Sequence, residues 1–135
     1  MRKKVNKTFT VYSGFEEALA ALRQKRLPGK YLFYIQIDEE WFKIGWTKDP
    51  VETLRVYKIR LEGTDEEPLH KIGVVVILGP NDHCEASCKI VVGLLGFRIK
   101  NKKTKHERDD LTMPNTRNTF KITQEKCESM LIRNL

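Results

Sequence analysis

Two short runs of large apolar residues, Tyr31–Ile37 (YLFYIQI) and Trp41–Trp46 (WFKIGW), are separated only by Asp38-Glu39-Glu40. Aromatic and branched side chains favour extended backbone, and three acidic residues between two such runs leave room for little but a turn. The pair predicts an antiparallel hairpin, and a hairpin does not stand alone. It needs further strands and covering helices to bury its apolar faces. His70–Leu78 (HKIGVVVIL) is the most continuous apolar run, as expected of a central strand covered on both sides. Thr119–Ile122 (TFKI) reads as a short last strand, and Thr8–Tyr12 as a short strand near the N-terminus.

Helix signals fill the gaps between these runs. Ser13-Gly14-Phe15-Glu16 has the form of a capping box, with Glu16 reaching back to Ser13. Phe15, Ala18, Leu19 and Leu22 follow at helical spacing and predict a helix over 14–26, ended by Pro28-Gly29. Asp49-Pro50-Val51-Glu52 starts a second helix, running to about Lys58. Asp49 is its cap, Pro50 its first residue, and Glu52 completes the box. Val51, Leu54 and Tyr57 or Lys58 are expected to face inward. Gly63–Pro68 is an acidic loop, and the turn Gly79-Pro80-Asn81-Asp82 delivers a cap for a helix over His83–Leu95. Arg98–Arg108 holds six Lys or Arg plus His106 without apolar periodicity, and reads as an exposed loop. Thr123 is placed to cap a final helix that buries Cys127, Met130 and Leu131. The order predicts a mixed α/β chain of the α+β kind. Its small, largely antiparallel central sheet has three or four strands flanked by helices. One domain is expected over 14–135, behind a basic arm at 1–13.

At 135 residues the chain has length for a single core. No apolar run approaches the roughly 18 residues of a membrane span. The basic start, Met1 to Val5, leads into no apolar stretch, so a soluble intracellular domain is expected, in cytoplasm or nucleus. The net charge of +7 creates a positive field that favours a polyanion such as nucleic acid. Cys84, Cys88 and Cys127 are too few and too odd in number for a disulfide framework. Cys84 and Cys88 share a helical face beside His83, but a structural zinc needs four ligands, so buried free thiols are expected.

Phe33-Tyr34-Ile35, a short turn, and then Lys43-Ile44-Gly45-Trp46-Thr47-Lys48-Asp49-Pro50 resemble the GIY-YIG nuclease superfamily. The likeness is to its phage and large-virus branch, where the second tripeptide is often KIG and an Asp-Pro helix start follows. It covers residues 29–123, including a helix that opens near Glu85 and a Phe-bearing strand at Thr119–Ile122. The resemblance implies a magnesium-dependent endonuclease that hydrolyses DNA phosphodiesters, with double-stranded DNA as its partner. Tyr34 then takes the place of the first tyrosine, which borders the nucleophilic water. Gly45 is the glycine whose missing side chain leaves room for a phosphate. Tyr57 occupies the position of a residue assisting proton transfer, and Glu85 that of the carboxylate holding magnesium or another divalent cation.

The chain also departs from the pattern. Tyr31 stands where the first glycine is expected, and Lys43 where the second tyrosine is. The arginine that braces the scissile phosphate falls eight residues after the glycine, at Thr53. Arg55 is the nearest substitute, although two residues turn it about 200° around a helix. Asn115 or Asn118 matches a polar residue near the last strand. Lys43, Lys48, Arg98, Lys100, Lys102, Lys103 and Lys105 are the expected nucleic-acid contacts, without interleaved aromatics, and so to backbone rather than bases. Three functions stay open: an endonuclease, a degenerate member that binds nucleic acid without cutting, and a viral protein-interaction module. Target choice is expected to come from a homodimer or a protein partner.

Overall fold

The computed structural model describes residues 9–25, 27–105, 108 and 117–134. Most of the basic arm, His106 and Asn115 lie outside them. Five strands are present among the described residues: β1 (Thr10–Tyr12), β2 (Tyr31–Ile37), β3 (Trp41–Thr47), β4 (Ile72–Leu78) and β5 (Thr119–Lys121). They form one sheet in the order β1-β4-β2-β3-β5, with every neighbouring pair antiparallel. The sheet therefore exceeds the three or four strands expected, because Thr10–Tyr12 pairs with Val75–Ile77 and covers what would otherwise be an open edge. The middle strand is β2 and not the more apolar β4. Tyr31–Ile37 has partners on both edges, and all but Gln36 are buried, whereas Ile72–Val74 at the start of β4 are only partly covered.

Four helices among the described residues cover the two faces: α1 (Phe15–Gln24), α2 (Pro50–Glu62), α3 (Cys84–Lys100) and α4 (Gln124–Arg133). Alternation along the strands divides the core in two. Phe33, Ile35, Ile37, Val75 and Ile77 pack with Phe15, Leu19, Leu22, Leu54 and Leu61 of α1 and α2. Leu32, Tyr34, Phe42, Ile44 and Val76 pack on the other side with Cys88, Val91, Leu95, Cys127 and Leu131 of α3 and α4. The chain is thus an α+β domain in three layers. All three cysteines are free and buried, as the sequence suggests. Among the described residues no helix is long and apolar enough to cross a membrane.

The helix ends depart from expectation in instructive ways. At α1 the Ser13 hydroxyl and N–H both donate to Glu17, not Glu16. Glu16 instead meets Lys58 at 3.0 Å and ties α1 to α2. Asp49 does cap α2, accepting from the Glu52 N–H at 3.2 Å, but the Glu52 carboxylate turns outward to Arg55. This helix continues past Lys58 because Leu61 still packs into the core, and it stops where Gly63 takes a left-handed φ of 74°. At the far end of the chain Thr123 caps α4 by accepting from the Lys126 N–H, and Cys127, Met130 and Leu131 are buried as anticipated. The largest difference is α3, which runs through Gly93 and Gly96 to Lys100, so Arg98 and Lys100 are helical and not part of a loop.

Candidate nucleic-acid interface

One end of the sheet gathers the start of β2, the end of β3 and the first turn of α3. Lys30 immediately precedes β2, and its ammonium lies 3.0 Å from Glu85 of α3 and 6.0 Å from the centre of the Trp46 ring. Lys48 follows β3. Together with Pro28, Gly29 and Asp82 these two lysines line an open cleft of about 550 Å³. Its wall depends on Gly29, which has a φ of 136°, and where an added Cβ would come within 2.6 Å of the Pro80 ring. Lys48 is exposed and makes no ion pair among the described residues, so its charge is open to an anion.

Lys43, by contrast, is 4% exposed, and its Nζ donates to the Arg117 carbonyl and lies 5.3 Å over the Tyr57 ring. Burial lowers its pKa, since a charge is disfavoured away from water. This lysine cannot serve as the phosphate contact expected of it.

The residues read as catalytic do not meet in this cleft. Tyr34 and Gly45 lie on opposite faces of the sheet. In the hairpin register Phe33 stands opposite Gly45, and a Cβ on Gly45 would lie 2.5 Å from the Phe33 ring. The space left by this glycine is therefore filled by an aromatic ring rather than open to a phosphate. Phe33 in turn leans on Tyr57 with centroids 5.8 Å apart, so Gly45 and Tyr57 share the α2 side. Burial raises the Tyr57 pKa, although the nearby Arg60 charge pulls it down.

Tyr34 points to the α3 and α4 side and is fully buried. Its hydroxyl donates to Glu128 and accepts from the Gln124 amide at 3.2 Å. Burial, and then the Glu128 carboxylate, push its pKa far up. A phenol so enclosed borders no open water. The position of the expected arginine, Thr53, shares a hydroxyl hydrogen bond of 2.7 Å with Thr47. Arg55 is exposed and donates twice to Glu52, at 3.1 and 2.8 Å, so it does not brace the site.

Glu85 does stand beside the cleft, in the first turn of α3. One carboxylate oxygen meets Lys30 at 3.0 Å and the other meets Lys89 at 2.6 Å. Lys89 first, then Lys30, hold its pKa below the usual carboxylate range. A divalent cation needs several oxygen donors, and here both oxygens of one carboxylate already face ammonium groups. Among the described residues no three His, Cys, Asp or Glu side chains stand close enough to hold a metal ion. As placed, these side chains do not fit the magnesium site that the resemblance implies.

The remaining basic candidates lie elsewhere. Arg98 and Lys100 occupy the last turn of α3, where they suit the negative end of its dipole, and exposed Lys102, Lys103 and Lys105 follow. Fifteen residues of helix put Lys100 about 22 Å along the axis from Glu85. Asn118 adopts a left-handed φ of 53°, and its carbonyl accepts the Ile44 N–H at 2.9 Å; its contribution is to the backbone turn into β5. Sequence pattern alone does not single out Lys30 or Asp82. The one signal for Lys30 is its place between a Pro-Gly break and the first strand residue.

Fold and cleft together define a three-layer α+β domain with paired lysines at one end of its sheet. Compared with known proteins, the chain matches no family model, no curated protein and no solved structure.

Proposed function

We propose that this chain binds the sugar-phosphate backbone of double-stranded DNA without hydrolysing it. The observation that carries this reading is the open cleft lined by Lys30 and Lys48, in which Lys30 shares its charge with Glu85 and Lys48 makes no ion pair among the described residues. Paired lysines meet a phosphate as point charges and read no base, so binding is sequence-tolerant. The surplus of seven positive charges adds a general attraction. The likeness of the Lys43–Pro50 run to GIY-YIG nucleases makes DNA the natural polyanion.

Support for binding without cutting comes from the groups that cleavage would require. The Tyr34 hydroxyl is occupied by Glu128, Glu85 by two lysines, Arg55 by Glu52, and a threonine replaces the bracing arginine. Fluorescence anisotropy on a labelled duplex, repeated over a range of salt, tests the first half. The slope of log K against log salt is expected to fall by about 2 in the Lys30→Ala/Lys48→Ala variant, one for each phosphate that no longer meets an ammonium group. Plasmid DNA is expected to stay supercoiled with magnesium or manganese. Metal-dependent nicking that disappears in Glu85→Ala would restore the endonuclease reading. Duplex affinity that ignores salt would remove the binding reading.

A further inference from the structure

The longest helix carries apolar residues on two sides. Cys84, Cys88, Val91 and Leu95 of α3 are buried, whereas Ile90, Leu94 and Phe97 are 47%, 45% and 65% exposed. Spacings of four and three place these side chains in one line on the outward face. The adjoining helix carries another, Ile132, also exposed. It follows Leu131, whose carbonyl accepts the Ser87 hydroxyl of α3 at 3.3 Å. Contiguous exposed apolar residues, unlike singly scattered ones, are a feature of interaction surfaces.

Two further features say what fits there. Gly93 and Gly96 sit inside α3, and a Cβ on either would meet nothing within 4 Å. The packing of the fold does not require glycine at these positions, and glycine inside a helix is less stable than alanine. Gly93 lies between Ile90 and Phe97 on the exposed face, where a missing side chain lets another backbone approach closely. Charge supplies the second feature. Glu85 is the one acid of α3 and is already paired with Lys30 and Lys89. Arg98 and Lys100 are exposed and make no ion pair among the described residues. On α4, Lys126 and Arg133 are exposed, against Glu125 as its exposed acid.

We propose that this outward face of α3 docks an amphipathic helix of an acidic partner protein. Its apolar side would cover Ile90, Leu94 and Phe97, and its carboxylates would meet Arg98 and Lys100. Recognition of this kind lays one apolar helix face along another, with flanking charges setting the choice of partner. A second copy packed in parallel would set Arg98 and Lys100 against the same residues, and one packed antiparallel would set them toward an end whose acid, Glu85, is already paired with Lys30 and Lys89. A duplex would set phosphates against an apolar line.

Two synthetic peptides of about the length of α3 separate these possibilities when titrated into the whole chain by calorimetry. One carries leucines at helical spacing with glutamates elsewhere, and the other carries lysines in place of the glutamates. The glutamate peptide is expected to bind at least about tenfold more tightly than the lysine peptide. Leu94→Ser, and separately Arg98→Glu/Lys100→Glu, are expected to weaken it by about tenfold or more. Gly93→Ala should raise the melting temperature and yet weaken the peptide, a pairing that a purely structural glycine would not give. Equal binding of the two peptides, or no binding of either, overturns the proposal. So does a dimer of the chain that Leu94→Ser turns into monomer. So, finally, does a loss of duplex affinity in Leu94→Ser as large as that in Lys30→Ala/Lys48→Ala.

Discussion

Tyr34 shows how one position along a strand decides what a residue can do. Adjacent strand residues point to opposite faces, so Phe33 and Tyr34 belong to different layers although they are neighbours in sequence. The sequence suggests that this stretch is a strand; it does not say which face meets α2, because both faces of β2 are apolar. In the folded chain Phe33 fills the space above Gly45, and Tyr34 is enclosed with Glu128 and Gln124. Tyr34→Phe removes the hydroxyl and leaves the partly buried Glu128 carboxylate with the longer bond from the Gln124 amide, at 3.4 Å, as its remaining donor among the described residues. Loss of a partner to a buried polar group costs about 1–3 kcal/mol. Chemical denaturation should find that loss in Tyr34→Phe, while duplex affinity stays unchanged. Weaker DNA binding at full stability would put the phenol back at the functional surface. Glu85 stands in the first turn of a helix, as the sequence suggests, but its neutralisation by Lys30 joins residues 55 apart, which no local pattern encodes.

At the scale of elements, most of the fold was legible, and the errors lie at helix ends. The hairpin, the Asp-Pro start of α2 and the Thr123 cap of α4 each rest on local chemistry: aromatic runs, a side-chain acceptor, a proline at the first turn. Such signals survive folding. Glu17 taking the part assigned to Glu16 reflects where the first turn of α1 actually begins. The extension of α3 past Leu95 is tertiary in origin. Burial of Val91 and Leu95, with partly buried Ile99 packed on the same core, carries the helix through two glycines that propensity alone would treat as breaks. The cap of α2 bears on the cleft, since Asp49 directly follows Lys48 and its N–H donates to Thr47 at 2.9 Å. Asp49→Ala should therefore cost about 1 kcal/mol of stability. It should also weaken duplex binding modestly by loosening the turn that presents Lys48. Thermal melts and anisotropy on the same samples check both; unchanged binding would mean that Lys48 is held by β3 alone.

Across the whole molecule, three layers came from alternating strand patterns and amphipathic helices. The order of strands, with β1 joining β4, required pairing between residues more than sixty positions apart. That same burial sets how the molecule responds to alkali. Burial raises the Cys88 thiol from 9.0 to about 11, and raises Cys127 to about 12. A group whose pKa is higher folded than unfolded stabilises the fold below the unfolded value, and withdraws that support as pH rises through the folded one. Holding Cys88 at about 11 against 9.0 corresponds to roughly 3 kcal/mol. The Tyr34 hydroxyl, raised as well, acts in the same direction at higher pH. Lys43 opposes both, because its lowered pKa makes the folded state release a proton more readily than the unfolded chain. With three buried thiols and the Tyr34 and Tyr57 phenols raised against one lysine lowered, stability should fall between pH 9 and about 11. Thermal melts across that window are expected to show the decline, and Cys88→Ala to show a shallower one from a lower starting point. Equal slopes in the two proteins would mean that the Cys88 thiol, packed between α3 and the sheet, is not what ionises.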